Sequence, residues 1–310
     1  MIDNQPQNQD FSLHAGIFSI FLCILFGSNA VAIKLALSGL GIFTTAGLRF
    51  GIASIVIFLW AKASGQPLKL KAGQLRQMLI LSLLFCLQIS MFYFGLSKSN
   101  ASRGTLLANM LPFHVLFLAH FFIPGERITK RRFFGILLGF GGVAFMFTEK
   151  GDLTGDFRLG DIIILSATVF WACSVVYIKK IIDAYNAFQI VMYSMVFAVP
   201  FFFLEALLWD DAMIMQLDSK VLGALLYQSL VTASFGFVAW NNLLHKYGAV
   251  SLHSFVFIMP IAGVALGGLV LGEPITSKIM AALVLIVSGI LVVHWKPRKP
   301  VSVYPIRKSV

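Results

Sequence analysis

The chain has 310 residues, 58% of them hydrophobic and only 12% charged, with a formal net charge of +11. No soluble domain of that length buries so much apolar surface, so a bilayer must solvate most of it, and a soluble enzyme or binding module is excluded. The basic residues sit between apolar runs and at the C-terminal end, as topology signals do, which argues against a nucleic-acid partner.

Residues 1–13 are polar, hold Asp3 and Asp10 but no Lys or Arg, and lead into an apolar run. Without a basic segment before that run, a cleaved signal peptide is not expected, and 1–13 reads as a cytoplasmic tail. A transmembrane helix needs roughly 20 apolar residues. Ten runs answer to this, approximately 14–37, 41–62, 75–97, 101–123, 131–148, 159–181, 187–209, 221–245, 249–271 and 275–295. Residues 149–158 form the linker between the fifth and sixth, and 296–310 a basic cytoplasmic tail. None alternates with the two-residue period of a membrane strand, so the protein is expected to be all-α. Cys23, Cys86 and Cys173 all fall inside apolar runs, where small core thiols are usual and a disulfide framework is not.

With the N-terminus in the cytoplasm, the inner segments collect Lys69, Lys71 and Arg76, the group Arg127, Lys130, Arg131 and Arg132, then Lys179 and Lys180, and the C-terminal cluster. The opposite side receives fewer basic residues and also Asp210, Asp211 and Asp218. Both termini are therefore expected in the cytoplasm.

The chain repeats itself. Pro112 and Pro260 are 148 residues apart, Gly125-Glu126 and Gly272-Glu273 are 147 apart, and Lys34 and Lys179 are 145 apart. Five helices per copy is an odd number, so the second copy enters the membrane from the other side. Inverted repeats are the architecture of secondary transporters, whose two halves rock about a central site.

The stretches "LFGSNAVAIKLAL" (25–37), "FYFGLSKSNASRGTLLANMLP" (92–112), "GERIT" (125–129), "WACSVVYIKK" (171–180) and "GEPIT" (272–276) resemble the EamA domains of the drug/metabolite transporter superfamily. The resemblance covers about 15–295 and implies ten transmembrane helices in two inverted five-helix repeats, here 14–148 and 159–295. It further implies a central cavity lined mainly by the third and fourth helices of each repeat.

On that premise, helical spacing puts Thr105, Asn109 and Pro112 on one face of the fourth helix, with His253, Phe257 and Pro260 as counterparts. Gln88 and Phe92 share a face of the third helix, with Gly236 and Trp240 opposite. The candidate substrate-binding set is thus Gln88, Phe92, Thr105, Asn109, Trp240, His253 and Phe257, a mixed lining that suits a small amphipathic solute. Plainer roles compete: interhelical glue for Gln88 and Asn109, packing for Phe92 and Phe257, an interfacial belt for Trp240. Pro112 and Pro260 are expected to break backbone bonds inside their helices and to act as hinges. Arg49 lies deep in a helix; it could take a substrate carboxylate, but anchoring to backbone carbonyls at a neighbouring helix end is the stronger expectation. Glu205 is expected to snorkel near Trp209, and Glu126 and Glu273 to cap the helices that follow them.

Acids are nearly absent from the spans and no His pair has metal spacing, so neither an enzyme, a metal site nor a cofactor is expected. The leading reading is an exporter of amino acids or related small amphipathic metabolites in a bacterial inner membrane. A drug or nucleotide-sugar carrier is the alternative, then a non-transport enzyme or scaffold. Partners are the solute and the lipid bilayer, with a homodimer allowed by the Gly-x3-Gly motifs at Gly135, Gly263 and Gly268.

Overall fold

The computed structural model describes residues 12–294 other than 72, 125, 149–154, 241, 244–246, 248–251 and 253–254. Its long elements are all helical: α1 (Leu13–Leu37), α2 (Ile42–Ala63), α3 (Gln74–Lys98), α4 (Ala101–Phe122) and α5 (Lys130–Phe147), then α6 (Gly155–Ile181), α7 (Ala187–Trp209), α8 (Ser219–Trp240), α9 (Ile258–Leu271) and α10 (Ser277–His294). Eight of the described helices are long and apolar enough to cross a membrane. The other two are α5, which opens on Lys130, Arg131 and Arg132, and the 14-residue α9.

These helices are apolar all round, as spans must be, because lipid on one side and protein on the other both reject charge. Phe58, Leu83, Leu207 and Leu269 point outward, while Phe50, Tyr93, Leu106, Phe113 and Phe202 form the main core. Close approaches rely on residues without a side chain. α3 meets α6 at Gly95 and Gly160, where an added Cβ would stand 2.7 Å from the facing carbonyl oxygen in both directions. α5 meets α10 at Gly135 and Gly289, where an added Cβ would stand 2.8 and 2.6 Å from the facing carbonyl oxygen, while Gly139 faces the Phe113 ring of α4. The Gly135-x3-Gly139 motif is thus used inside the chain.

Helix ends follow local chemistry. Asn186 and Gln189 form a reciprocal capping box at the start of α7. Thr129 Oγ1 accepts from Arg132 N at 3.3 Å and Thr276 Oγ1 from Ile279 N at 3.2 Å, so the threonines, not the nearby glutamates, cap α5 and α10. Gly272, with φ of +67°, closes α9 in the left-handed conformation that glycine adopts without strain.

Three of the described helices depart from a continuous α-helix. α1 is interrupted at Ser28, and α4 consists of Ala101–Ala108 and Leu111–Phe122. In α8, Tyr227–Gly236 winds as a π-helix. The break in α4 precedes Pro112, which stands in the first turn of the second piece rather than inside a helix. Three-residue turns likewise precede Pro260, from Phe255 N to Leu252 O and Met259 N to Val256 O, both at 3.0 Å. A proline in a first turn forfeits an N–H that had no partner in the helix, so both breaks cost less than the expected interior kink. The proline truly inside a described helix is Pro200 of α7.

Candidate functional site

At one end of the bundle polar contacts tie distant helices together. Asp210, closing α7, accepts from Phe43 N, Thr44 N and Thr44 Oγ1 at 3.1, 2.9 and 2.8 Å and so caps α2. Glu273, following α9, accepts from Ala101 N at 2.6 Å and from Ser102 N and Oγ at 2.8 and 2.6 Å, capping α4. Its expected role was to cap the helix after it. The observed role has the same physics, a carboxylate at a helix N-terminus, but the helix belongs to the other half. Lys34 Nζ donates to Leu96 O, Ser97 O and Ser99 O at 3.2, 3.4 and 2.8 Å, satisfying the last carbonyls of α3. Buried Arg103 is paired with Asp161, which also accepts from Ser99 Oγ at 2.6 Å.

The opposite end holds the counterparts of Lys34 and Glu273 in a different state. Lys179 Nζ and Glu126 Oε1 pair with each other at 2.7 Å, with Arg132 at 3.5 Å from the second Glu126 oxygen. Their side chains are 52% and 36% exposed, so these groups are wet where Lys34 and Glu273 are docked. Glu126 therefore does not cap the helix after it, as expected of it. The hydrogen bond from Lys179 and the charges of Lys179 and Arg132 hold its carboxyl below the usual range, with slight burial opposing.

The candidate binding residues divide among several contacts. Gln88 is buried on α3 and its Oε1 accepts from Ser174 Oγ of α6 at 3.2 Å. Asn109 ends the first piece of α4, and its Nδ2 donates to Thr105 O at 2.8 Å. Thr105 faces Gly263 so closely that a Cβ there would overlap its side chain, and its buried Oγ1 has no partner among the described residues. Phe92 and Phe257 are half-buried against the main core. Trp240 stands edge-on to Phe26 of α1, ring centres 5.9 Å apart, in a smaller cluster. His253 lies outside the described residues. His114 meets Thr168 Oγ1 at 3.0 Å. Between α2, α7 and α8, a crevice of about 40 Å3 bordered by Ile57, Phe188 and Asn242 has room for water but not for a metabolite.

A second polar group lies deeper, and sequence reasoning passed over most of it. Arg49 is 5% exposed in α2. Its two terminal nitrogens donate to Tyr93 Oη at 3.0 Å and Thr232 Oγ1 at 3.3 Å, while its Nε has no partner among the described residues. Backbone carbonyls, the expected anchors, are not among its described partners. Tyr93 Oη in turn donates to Gln228 Oε1 at 2.9 Å, and Gln228 Nε2 to Ala32 O at 3.1 Å. Thr232 Oγ1 also lies 3.3 Å from Asn29 Oδ1. α2, α3 and α8 thus meet at one guanidinium, and α1 joins the group through Ala32 and Asn29. The available signal was Gln228 and Thr232, polar residues one turn apart in an apolar run; Tyr93 stood one position away from the assumed Gln88–Phe92 face. Glu205, too, turns inward instead of snorkelling: it accepts from Ser90 Oγ of α3 at 2.5 Å, because a hydroxyl donor is within reach and lipid is the alternative.

Comparison with known proteins adds the following. The description "EamA-like transporter family" matches residues 14–148 and 158–295. A protein named "Probable amino-acid metabolite efflux pump" from Escherichia coli (strain K12) is 25% identical over 285 residues, covering 89% of this chain and 93% of that one. Its namesake from Salmonella typhimurium is 26% identical over 289 residues, covering 89% and 93%. "Uncharacterized transporter YoaV" of Bacillus subtilis (strain 168) is 26% identical over 282 residues, covering 89% and 94%. One solved structure superposes with a TM-score of 0.66 at 18% identity, covering 91% of this chain and 96% of that chain, a likeness of fold.

Proposed function

The chain belongs to the EamA-like transporter family, a family of transporters and not of enzymes, and from that premise we propose a secondary transporter that exports amino acids or related small amphipathic metabolites. It works by alternating access between two inverted five-helix halves, α1–α5 and α6–α10. The names of the Escherichia coli and Salmonella relatives support the substrate class.

The observation that carries the mechanism is the unequal state of two equivalent corners. Lys34 and Glu273 are docked on the ends of α3 and α4, whereas Lys179 and Glu126 pair with each other, with Arg132 beside them, and stay partly exposed. Two corners alike in sequence and unlike in contact are what one state of a rocking transporter presents. In the opposite state the roles exchange: Lys179 and Glu126 dock, and Lys34 and Glu273 release. With both termini in the cytoplasm of a bacterial cell, the docked end faces outward and is closed.

In this reading Gln88, Phe92, Thr105, Asn109, Trp240, His253 and Phe257 border the solute path, and the turns before Pro112 and Pro260 are its hinges. The unpartnered Thr105 hydroxyl supports the polar side of that path. A nucleotide-sugar carrier would need cations for a diphosphate, but of the two arginines buried among the described residues Arg103 is already paired to Asp161.

Purified protein in liposomes loaded with a labelled amino-acid mixture tests the proposal. Release of part of the mixture above protein-free liposomes is expected, and no release of any member would overturn the substrate class. Gln88→Ala and Asn109→Ala should weaken substrate affinity by about 1–3 kcal/mol, the cost of an unsatisfied buried group. A lower melting temperature with unchanged affinity would return both residues to a structural role.

A further inference from the structure

We propose that Arg49 is an anion-binding residue of the transport path, receiving a carboxylate of the transported solute in exchange for its present contacts with Tyr93 and Thr232. The inference rests on the transport reading and adds to it a group on the solute and a residue on the protein.

An arginine cannot discharge itself by losing its proton, so a buried one needs a counter-charge, a dense set of acceptors, or a reason to lack both. Arg103 has the counter-charge, since Asp161 accepts from its Nε at 2.8 Å and from a terminal nitrogen. Arg49 is paired with no carboxylate among the described residues. It has two neutral hydroxyls, at 3.0 and 3.3 Å, and an orphaned Nε. The face of the Phe50 ring, 4.8 Å from the guanidinium carbon, supplies a weak further attraction. A carboxylate would fill the deficit, because its two oxygens match two adjacent guanidinium donors and its charge cancels the buried one. A neutral amide or hydroxyl would not.

The surroundings are built to let such an exchange occur. Tyr93 and Thr232 do not depend on Arg49 for their other bonds: Tyr93 Oη donates to Gln228, and Thr232 Oγ1 donates to Gln228 O at 2.8 Å. Each can release the guanidinium and stay satisfied. Gln228 and Thr232 both belong to the π-helical stretch of α8, a widened turn of the kind that recurs at functional sites. Arg49 and Tyr93 come from the first half and Thr232 from the second, so relative movement of the halves changes this contact directly. Such a charge, deep in a span and facing the bundle interior, is by default a part of the solute path.

The test compares matched carboxylates and amides on the purified full-length protein in detergent: phenylacetate with phenylacetamide, butyrate with butyramide, and L-leucine with L-leucinamide. At least one carboxylate is expected to raise the melting temperature in a saturable way, and its amide is not. Arg49→Gln should weaken that response by about tenfold or more, on the scale of one charge-assisted hydrogen bond. Arg49→Lys keeps the charge but not the fork, and should weaken it less; if Arg49→Gln does not fold, Arg49→Lys decides. Equal protection by amides, no protection by any carboxylate, or unchanged affinity in the arginine variants would overturn the proposal. The outcome separates from that of the transport reading. Arg49-dependent carboxylate binding without release from liposomes defeats the transport reading alone. Release that Arg49→Gln leaves unchanged defeats the Arg49 proposal alone.

Discussion

Glu273 and Ser102, 171 positions apart in sequence, share two hydrogen bonds, from the Ser102 backbone N–H at 2.8 Å and its hydroxyl at 2.6 Å. A carboxylate from the second half thus terminates a helix of the first. Hydrogen bonds to charged groups contribute about 1.5–3 kcal/mol each, and the N-terminus adds a favourable dipole. Glu273→Ala is expected to lower the melting temperature in detergent and to raise hydrogen exchange at Ala101 and Ser102 first. Uniform exchange across the chain would show that the contact is not a local latch.

α4 and α9 touch through Thr105 and Gly263, where a methyl group would overlap the threonine. Gly263→Ala is expected to destabilise the protein by about 1–3 kcal/mol, the usual penalty for overpacking. Thr105→Ala in the same chain should recover most of it, since the second change removes the atoms that clash. A double variant no more stable than Gly263→Ala, by thermal melting, would mean that the helices meet elsewhere.

Asp161 is fully buried against Arg103. Asp161→Asn removes the counter-charge and leaves a buried guanidinium behind, at a cost of about 3–5 kcal/mol. Replacing both, as Arg103→Met with Asp161→Leu, should restore much of that stability, because a charge pair and an apolar pair of similar volume are often comparable in the interior. Chemical denaturation of the three proteins side by side reads this directly.

Glu126 gives a pH dependence with a defined sign. Its pKa in the folded protein is lowered from 4.5, chiefly by the hydrogen bond from Lys179. The stabilisation is therefore complete above the unfolded pKa near 4.5 and disappears as pH falls through the lower folded value. Stability curves of the parent and Glu126→Gln should converge below that window and separate above it, by a small amount because the pair is half in water. Parallel curves across the window would show that Lys179 is not its partner.

Much of this architecture was legible in the sequence because a span is a local statement. The run read as 187–209 is Ala187–Trp209, and the run read as 101–123 is Ala101–Phe122. The helix read from 159 begins at Gly155, and most of the linker read as 149–158 lies outside the described residues. Discontinuities were less accessible. Prolines flagged α4 and α9, but the break falls at Asn109 and Met110, where the chain turns before Pro112. Nothing in "YQSLVTASFG" marks a π-helix, since it depends on which side chains the widened turn must point at α1 and α2. The partners of Arg49, Glu205 and Glu273 were hidden for one shared reason. Each lies on another helix more than forty residues away, and helical periodicity orders residues within a helix without relating one helix to the next.

The carboxylates that cap α2 and α4 have a consequence for how the protein is made. Asp210 and Glu273 leave the ribosome long after the helices they cap. During synthesis the N-terminal ends of α2 and α4 reach the membrane surface without these acceptors, and water must stand in for them until the later helices insert. The first half completed by itself would lack both caps. A chain interrupted after α5 therefore has unfinished helix ends that the quality-control proteases of the membrane can recognise, and supplying the second half as a separate polypeptide should protect it. The order of translation thus makes the loop at Glu273 the point at which the fourth helix is finally fixed.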